Sequence, residues 1–311
     1  MAAILSASGQ QGAPRASVII PHLNTPELLV KCLNSLAGQR LDSGWFEIVV
    51  VDNGSRMPLK AIIDGRPDVL FLHEPEPGPG PARNLGVSRS RGGILAFIDA
   101  DIRAAADWLQ QAVVAVEADP SRPVGGDVRI DMKDPLKPTG VEAFEAVFSF
   151  RQKMYIERQK FSGSGNLACT RALFDKVGGF GPIATAEDKS WGQKASAMGH
   201  PPRYVPAMIV YHPSRSGHQE TRERWRRIME HQFLADEAAG KPRWRWTLYS
   251  IAVLLATVVQ TPQFLLSPRV YGVSGRVKGL AFLFQTRWNR FIDMQRIARR
   301  NAEISALQWN R

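Results

Sequence analysis

The segment Ile94–Ile102, ILAFIDADI, restricts the possible folds of this chain more than any other feature. It begins with five apolar residues, as expected of a strand that is buried on both faces, and the apolar run stops at Asp99-Ala100-Asp101. Two carboxylates at spacing i and i+2 can point toward one position beyond the sheet edge. Their oxygens suit a hard divalent cation that also binds phosphates. Two aspartates after a strand are also common turn formers, so the triplet alone leaves both interpretations open.

Apolar runs like this one recur along the chain as far as residue 212. They predict strands over Ser17–Ile20, Phe46–Val51, Val69–Leu72, Ile94–Ile98 and Arg203–His212. Helical patterns alternate with them and predict helices from Pro26 (with Thr25 as N-cap) and around Ala82–Ser90, Val141–Gln159 and Glu187–Met198. This alternation predicts an α/β fold with a doubly wound, mainly parallel sheet. Ligands of such sheets bind beyond the carboxyl ends of the strands, where Asp52 and the two aspartates of the triplet fall.

The net positive charge of the chain arises in its last third. Of the 40 Lys and Arg and 29 Asp and Glu, residues 1–200 hold 22 of each, whereas residues 201–311 hold 18 basic and 7 acidic residues. The whole net charge of +11 therefore lies in the tail. Such a tail is typical of proteins that bind nucleic acid, anionic lipid or a polyanionic substrate.

The tail also contains 23 consecutive uncharged residues, from Trp246 to Pro268. This length is sufficient to cross a bilayer, but basic residues flank both ends, whereas a spanning helix usually shows a basic bias on one side. The following segment, Leu280–Leu307, has the pattern of a basic amphipathic helix. Three interpretations are open: an interfacial or re-entrant membrane attachment, a helical hairpin packed on the catalytic domain or a second subunit, and a true span. We expect the first.

Other features predict a cytoplasmic protein. Residues 1–15 show no secretory signal and are expected to form a flexible leader. Cys32 and Cys169 lie in apolar contexts, which favours reduced core thiols over a disulfide or a metal site.

The chain contains no GxGxxG after a strand, no Walker loop, no HExxH and no GxSxG, which argues against hydride transfer, kinase chemistry and serine hydrolysis.

A series of motifs occurs in a recognisable order over roughly residues 16–213. Its members are Ser17–Pro21, Val50–Ser55, Gly80–Gly86, Ile98–Asp101, Gly165–Ala168 with Arg171, Gly178–Phe180 and Glu187-Asp188. In order and spacing the series resembles the inverting family 2 glycosyltransferases of the GT-A fold. The resemblance implies a catalytic domain over residues 16–214, whereas the basic helical region 215–311, with its apolar segment 246–268, lies outside it.

The resemblance also implies which residues bind the nucleotide part of the donor. Asp52 would accept a hydrogen bond from the base, Arg83 would lie in a phosphate- or base-facing loop, and Asp99 would face the ribose or the metal. Pro21, Asn53 and Ala100 complete the expected donor site. The alternatives are a turn residue before Gly54 for Asp52 and a plain surface arginine for Arg83.

The metal and the catalytic base are implied in the same way. Asp101, with Asp99, would bind Mn²⁺ or Mg²⁺ at the diphosphate, and His212 would be a further ligand. Asp188 would be the general base and Glu187 would help to position the base or the acceptor. The alternative for Glu187 and Asp188 is that they are merely favourable charges in the first turn of a helix. The alternative for His212 is a purely structural role. Gly163, Gly165 and Asn166 are expected to shape the acceptor-side loop.

We therefore expect an enzyme that transfers a sugar from a nucleotide-diphosphate sugar to a saccharide or lipid-linked acceptor, in polysaccharide or glycolipid assembly. It would act at the inner face of the membrane, as a peripheral or monotopic protein, without a nucleic-acid partner. Two alternatives are a sugar-phosphate nucleotidyltransferase and a non-catalytic basic module that binds nucleic acid or membranes. The first usually has a Gly- and Lys-rich loop after its first strand, where this chain has Pro21-His22-Leu23-Asn24.

Overall fold

The computed structural model describes residues 13–40, 45–57, 59–182, 186–215 and 217–299, so most of the predicted leader lies outside the described residues. The strands in this part of the chain are β1 Ala16–His22, β2 Phe46–Asp52, β3 Val69–His73, β4 Ile94–Ile98, β5 Arg103–Ala104, β6 Val124–Asp131, β7 Asn166–Thr170 and β8 Arg203–Pro213. The helices are α1 Pro26–Ala37, α2 Lys60–Asp64, α3 Pro79–Arg89, α4 Trp108–Ala118, α5 Gly140–Phe148, α6 Gln152–Gln159, α7 Arg171–Val177, α8 Glu187–Ala197, α9 His218–Ala238, α10 Arg243–Leu265 and α11 Gly272–Arg299.

All eight strands belong to one sheet, in the order β3-β2-β1-β4-β7-β6-β8-β5. The first four strands in this order are parallel, and helices connect them along the chain. Their carboxyl ends therefore lie at one edge of the sheet. The predicted α/β fold with a doubly wound, parallel core is confirmed.

The other half of the sheet is antiparallel, which the alternation of strands and helices does not predict. β7 pairs antiparallel with β4 and with β6, and β5 pairs antiparallel with β8. The sequence reading assigned no strand to β5, β6 or β7. β6 contains Gly125 and Gly126, which weaken a strand on propensity alone. A Cβ on Gly126 would lie only 2.0 Å from the Met208 carbonyl oxygen, so the close approach of the two strands requires glycine at this position.

The strand before the aspartates is buried on both faces, as its apolar run predicts. The even-numbered residues Ile94, Ala96 and Ile98 pack into one core cluster with α1 and α4. Leu95 and Phe97 pack into a second cluster on the opposite face, with side chains of α7 and α8. Burial of side chains of this size stabilises the fold by about 1.5–3 kcal/mol each and fixes the end of β4 in position.

Two helix predictions need correction. The helical pattern over Val141–Gln159 forms two helices, α5 and α6, separated at Phe150, whose φ of 47° lies outside the right-handed helical region. Thr25 precedes α1 as predicted, but its side chain makes no capping hydrogen bond. Its backbone N–H instead donates to His22 Nε2 at 3.2 Å. The prediction for the cysteines agrees with the structure, since Cys32 and Cys169 are free and buried.

The chain divides into two compact units. The first comprises Met1–Arg129 and Phe150–Pro213, and the second comprises Ile130–Ser149 and Ser214–Arg311. α5 thus belongs to the second unit, although the sequence places its residues within the predicted catalytic domain. Within that unit Phe144 of α5 packs against Phe282 of α11, with ring centroids 5.3 Å apart.

α9, α10 and α11 form the rest of the second unit. α10 and α11 pack against each other along their lengths, and Trp246 of α10 lies in a buried cluster with Met294 of α11 and Phe233 of α9. Among the described residues one helix, Arg243–Leu265, has the length and the apolar composition to cross a membrane, with a mean hydropathy of 1.5. Residues 300–307 of the predicted amphipathic helix lie outside the described part of the chain.

Candidate functional site

A cavity of about 620 Å³ opens in the first unit, beyond the carboxyl ends of β1, β2 and β4. Its volume lies in the range typical of small-molecule sites, and its position follows the rule for open α/β sheets. Nine of the ten predicted site residues line it: Pro21, Asn53, Arg83, Asp99, Ala100, Asp101, Glu187, Asp188 and His212. The tenth, Asp52, is not a lining residue but contacts His22, which lines the cavity. Residues that are up to 191 positions apart in sequence therefore meet in one cavity.

Asp101 and His212 face each other in this cavity. His212 Nε2 lies 3.4 Å from Asp101 Oδ2. The pairing of Arg103 with Tyr211 between β5 and β8 produces this approach, because Asp101 lies just before one strand and His212 near the end of the other. Burial raises the pKa of Asp101, His212 lowers it and the neighbouring Asp99 raises it, with a net upward shift.

The surroundings of His212 determine which ring nitrogen carries a proton. Its Nδ1 lies 2.7 Å from the Pro213 carbonyl oxygen, which can only accept, so Nδ1 carries a hydrogen. In the neutral ring the lone pair is then on Nε2, the atom that faces Asp101. A ligand histidine is commonly oriented in this way by a carbonyl on its other nitrogen.

The Asp101–His212 pair has the donor atoms that a divalent cation requires. One carboxylate oxygen and one imidazole nitrogen suit Mn²⁺, and a carboxylate suits Mg²⁺. Within the described residues no group of three or more His, Cys, Asp or Glu side chains could hold a metal ion. The protein would thus supply two ligands and leave the others to phosphate oxygens and water, as in many Mg²⁺ sites of phosphate-transferring enzymes.

Arg83 holds Asp99 and Glu187 together. Its side chain is only 3% exposed; Nη2 donates to Asp99 Oδ1 at 2.6 Å and Nη1 donates to Glu187 Oε1 at 3.0 Å. Asp99 is also confined on its other side, since a Cβ on Gly165 would lie 2.6 Å from its Oδ2. The predicted ligand Asp99 is therefore paired with an arginine through one of its carboxylate oxygens. Arg83 itself is a buried link between β4 and α8 rather than a surface arginine.

Replacement of Arg83 by Met should lower the free energy of unfolding by about 2 kcal/mol or more, because it leaves two carboxylates near one another without their shared cation. The partial exposure of Asp99 keeps this value below that of a fully buried ion pair. Urea denaturation measures the change. Arg89→Met, an exposed position on the same helix, serves as the matched control and should stay within about 0.5 kcal/mol of the parent. Equal stability of both variants would show that the Arg83 contacts contribute nothing.

Asp188 lies in the first turn of α8, beside Glu187. Burial raises the pKa of Asp188; the hydrogen bond from the Lys189 backbone N–H at 2.6 Å lowers it, and the nearby Glu187 and Asp99 carboxylates raise it. The net direction is upward, although a helix N-terminus by itself favours the carboxylate form. A carboxylate with a raised pKa is a stronger base, which suits proton abstraction from a hydroxyl group.

Asp52, at the end of β2, is kept ionised by its partners. Burial opposes its ionisation, but hydrogen bonds from Ser55 and from His22 lower its pKa below the usual range. His22 Nε2 accepts from the Thr25 N–H, so Nδ1 carries the ring proton and donates it to Asp52 Oδ1 at 3.1 Å. His22 is buried and lines the cavity, and it thereby orients the carboxylate.

Asn53 lines the cavity but uses its side chain to shape a loop. Its amide nitrogen donates to the carbonyl oxygens of Glu74 and Glu76, and its Oδ1 accepts from the Gly78 N–H at 2.6 Å. Asn53 thus fixes the Pro- and Gly-rich segment that leads into α3. Pro21, one position before His22 at the end of β1, contributes a rigid part of the same wall.

The three residues predicted to shape the acceptor-side loop, Gly163, Gly165 and Asn166, lie in two different environments. Gly163 and Gly165 line the cavity, and the antiparallel pairing of Asn166 with Ile98 brings this segment beside Asp99. Asn166 itself is fully buried, where its amide binds the Asp127 and Met208 carbonyl oxygens and accepts from Trp108 Nε1. Asn166 is thus a core residue and not part of the acceptor-side surface.

The sequence reading missed several residues of the cavity wall. Gln152 and Tyr155 of α6 line it, as do Phe161 and Phe150, whose ring lies 4.4 Å from that of His212. No motif marks them, because α6 reaches the site only through tertiary packing. For His22 a signal existed, since it follows Pro21 directly at the end of a predicted strand.

A second cavity, of about 580 Å³, lies in the helical unit. It is lined mainly by charged side chains of α9 and α11. Two of its carboxylates already have arginine partners, because Arg222 binds Asp293 at 2.7 Å and Arg226 binds Glu230 at 2.9 Å. The Arg222–Asp293 pair joins α9 to α11, whereas the Arg226–Glu230 pair lies within α9.

Known proteins with similar sequences include two glycosyltransferases. Glycosyltransferase AglE of Haloferax volcanii is 29% identical over 208 residues, which cover 65% of this chain and 68% of that protein. Pre-mycofactocin glycosyltransferase of Mycobacterium tuberculosis is 26% identical over 211 residues, 64% of this chain but only 43% of that protein. The chain therefore spans less than half the length of the second relative.

Solved structures with the same fold include two glycosyltransferases. Mannosyltransferase PcManGT from Pyrobaculum calidifontis, in complex with GDP-Man and Mn²⁺, superimposes with a TM-score of 0.53 at 20% identity, over 92% of this chain and 74% of that one. GalNAc-T7 with UDP, GalNAc and Mn²⁺ gives a TM-score of 0.51 at 17% identity, over 66% and 45%. At these identities the similarity shows the GT-A fold alone.

The sequence profile described as Glycosyl transferase family 2 matches residues 17–177, which is 161 of the 311 residues. The match includes all but the first residue of β1, the whole of β2 to β4, the Asp99-Ala100-Asp101 triplet and the whole of α7. The chain belongs to glycosyl transferase family 2.

Proposed function

We propose that this family 2 glycosyltransferase is inverting and metal-dependent, and that it transfers a sugar from a nucleotide-diphosphate sugar to a saccharide or lipid-linked acceptor in polysaccharide or glycolipid assembly. The supporting observation is that one cavity contains both the Asp101–His212 pair and the Asp188 carboxylate, whose pKa is raised. The first has the character of a metal site and the second that of a base. The solved structures of the same fold, with Mn²⁺ and nucleotide, support this direction.

On the donor side, Asp52 and His22 form a fixed pair at the end of the parallel sheet. The ionised carboxylate of Asp52 can accept a hydrogen bond from an N–H on the edge of a nucleotide base. Pro21, Asn53 and Ala100 would form the surrounding wall of the donor site. Arg83 keeps Asp99 oriented toward the same space.

Asp101 and His212 would hold the cation. A divalent cation bound there would neutralise the charge that develops on the leaving nucleotide diphosphate. The hydrogen bond from His212 Nδ1 to the Pro213 carbonyl oxygen keeps Nε2 directed at Asp101. Asp101 must be ionised for this role, and the cation offsets the burial that raises its pKa.

Asp188 would take the proton from the acceptor hydroxyl as that oxygen attacks the anomeric carbon from the face opposite the diphosphate. Such an attack inverts the anomeric configuration and needs one base on the acceptor side. Glu187, held by Arg83, would position the base or the acceptor. Arg83 thus links the donor-side Asp99 to the acceptor-side Glu187 through one guanidinium group.

We also place the enzyme at the cytosolic face of a membrane, as a peripheral or monotopic protein. The basic charge of residues 201–311 and the apolar helix α10 support this location. A lipid-linked acceptor would be presented at such a surface.

A screen of nucleotide-sugars with and without Mn²⁺ tests the proposed reaction. The expected result is Mn²⁺-dependent binding or hydrolysis of one donor, and a transfer product whose anomeric configuration, measured by NMR, is opposite to that of the donor. Retention of configuration would contradict the role of a single base, and full activity in the presence of excess chelator would contradict the metal site.

A further inference from the structure

α10 carries apolar side chains on two opposite faces. Its buried residues, Trp246, Ser250, Val253, Thr257 and Phe264, recur on one face at helical spacing. Its exposed apolar residues recur on the opposite face: Trp244, Leu248, Ile251, Leu255, Val258 and Val259. Val258 and Val259 are 71% and 76% exposed, so this outer face has no partner within the described part of the chain. A surface helix of a soluble domain would carry polar residues there.

α11 continues the same pattern. Val273, Val277, Phe284 and Trp288 are each more than half exposed and recur at intervals of four, seven and four residues. The two helices pack against each other as an antiparallel pair. The hairpin thus presents two apolar stripes, each several turns long, and contiguous exposed apolar surface of this kind marks a site of protein or membrane interaction.

The charge of the hairpin identifies the kind of partner. No Asp or Glu occurs between Glu237 and Asp293, whereas eight Lys and Arg residues do. Arg245 lies in the first turn of α10 and Lys278 lies on α11, and both side chains are exposed. Apolar stripes bearing exposed Trp and flanked only by positive charge fit the interface of an anionic bilayer. Two copies of this chain would bring the same positive charges together.

The contacts on the inner face argue against a span. Trp246 Nε1 donates to the Met294 carbonyl oxygen at 2.9 Å, and Arg287 donates to Gln260 Oε1 at 2.7 Å. If α10 crossed the bilayer with these contacts intact, it would carry Arg287, Arg290 and Lys278 toward the hydrocarbon, which is costly. A hairpin lying in one leaflet keeps the contacts and leaves the basic side chains near the phosphates.

We infer that the outer face of the α10–α11 hairpin is a docking surface for anionic phospholipid, on which the hairpin lies parallel to the membrane plane within one leaflet. This specifies the membrane attachment in the proposed function but does not depend on the sugar-transfer chemistry. The test below therefore uses binding alone, so its failure and a failure of the catalytic assignment are separate results.

Vesicle flotation of the full chain measures the attachment. Binding should be strong on vesicles containing phosphatidylglycerol and weak on phosphatidylcholine alone. Leu255→Glu should lower the partition coefficient roughly tenfold or more, because an apolar side chain leaves the bilayer and a charge enters. Val114→Glu, at a 58% exposed position on α4, is the matched control and should bind like the parent. Arg245→Gln and Lys278→Gln should each cost roughly fivefold on anionic vesicles only.

The depth of fluorescent labels in the bilayer distinguishes a hairpin that lies in one leaflet from a helix that spans the membrane. Because Cys32 and Cys169 are buried, a fluorophore can be attached selectively to Leu248→Cys, Leu255→Cys or Leu266→Cys in the folded protein. Lipids carrying quenchers near the headgroup should quench all three labels to a similar extent. Strongest quenching of the Leu255→Cys label by mid-chain quenchers would show a span and overturn the inference. Absence of vesicle binding, with a dimer that Leu255→Glu dissociates, would overturn it in favour of a second copy.

Discussion

Replacing Asp188 with Asn should reduce kcat by roughly 10²–10⁴-fold while the KM for the donor changes little. The substitution removes the proton acceptor but preserves the shape of the side chain, and general base catalysis contributes about this factor. An amide oxygen can still accept the backbone N–H of Lys189, so the start of α8 should keep its structure. Initial-rate kinetics with the donor identified by the screen measure both constants.

Asp64→Asn is a suitable control, because Asp64 lies on α2 and its exposed side chain pairs with Lys60. Its kcat should equal that of the parent. A larger loss in Glu187→Gln than in Asp188→Asn would transfer the role of base to Glu187. Equal kcat in parent and Asp188→Asn would remove Asp188 from the mechanism.

The pH dependence of kcat provides a second observable for the same residue. In the proposed mechanism the Asp188 carboxylate accepts the proton, and burial, with Glu187 and Asp99 adding to it, raises the pKa of that group. A group with a raised pKa remains protonated to a higher pH, so the acidic limb of the kcat profile should fall at a pH above about 3.9, the ordinary value for Asp. In Asp188→Asn that limb should be absent from the residual activity.

Replacing Asp101 with Ala should weaken Mn²⁺-dependent donor binding by roughly 10²-fold or more. Removal of groups that only orient a ligand already costs about 10–100-fold in metal affinity, and Asp101 would itself be a ligand. His212→Ala should show a loss of the same kind, because Nε2 faces Asp101 at 3.4 Å. Calorimetric titration of the nucleotide diphosphate, with and without Mn²⁺, measures the effect independently of turnover.

Asp188→Asn and Asp101→Ala should differ in how they affect the binding of nucleotide diphosphate and Mn²⁺. Asp188→Asn should bind nucleotide diphosphate and Mn²⁺ like the parent, whereas Asp101→Ala should lose the contribution of Mn²⁺ and keep the weak metal-free affinity. Asp64→Ala again provides a carboxylate control outside the cavity. If Asp101→Ala retains full Mn²⁺-dependent affinity while Asp99→Ala loses it, the metal site is centred on Asp99 and the proposed ligand pair is wrong.

The parallel half of the fold could be predicted from sequence because each of its strands is a continuous apolar run. Ile94–Ile98 alternates between two core clusters, so both its faces need apolar residues, and the aspartates mark its end. The antiparallel half could not be predicted in this way. β6 carries two glycines, and Gly126 is required by the approach of the Met208 carbonyl oxygen from another strand.

The ten site residues were predicted from motifs that resemble those of a known family, and nine of them line one cavity. The hydrogen-bond and ion-pair partners of these residues could be found only in the tertiary structure. The sequence shows that Arg83 and Glu187 are 104 positions apart, but not that they form an ion pair. Likewise, Asn166 belongs to a motif yet lies in the core, because antiparallel pairing with β4 turns its side chain away from the cavity.

The sequence by itself determined the strand that ends in Asp99-Ala100-Asp101, the carboxylate types available for metal and base, and the concentration of positive charge in the tail. These properties depend on local patterns, since periodicity and composition act over a few residues. Only the tertiary structure decided that His212 faces Asp101, that Arg83 joins Asp99 to Glu187, and that one apolar face of α10 is buried while the other is exposed. These depend on strand pairing and helix packing between distant segments, and an apolar pattern does not specify which distant surface covers it.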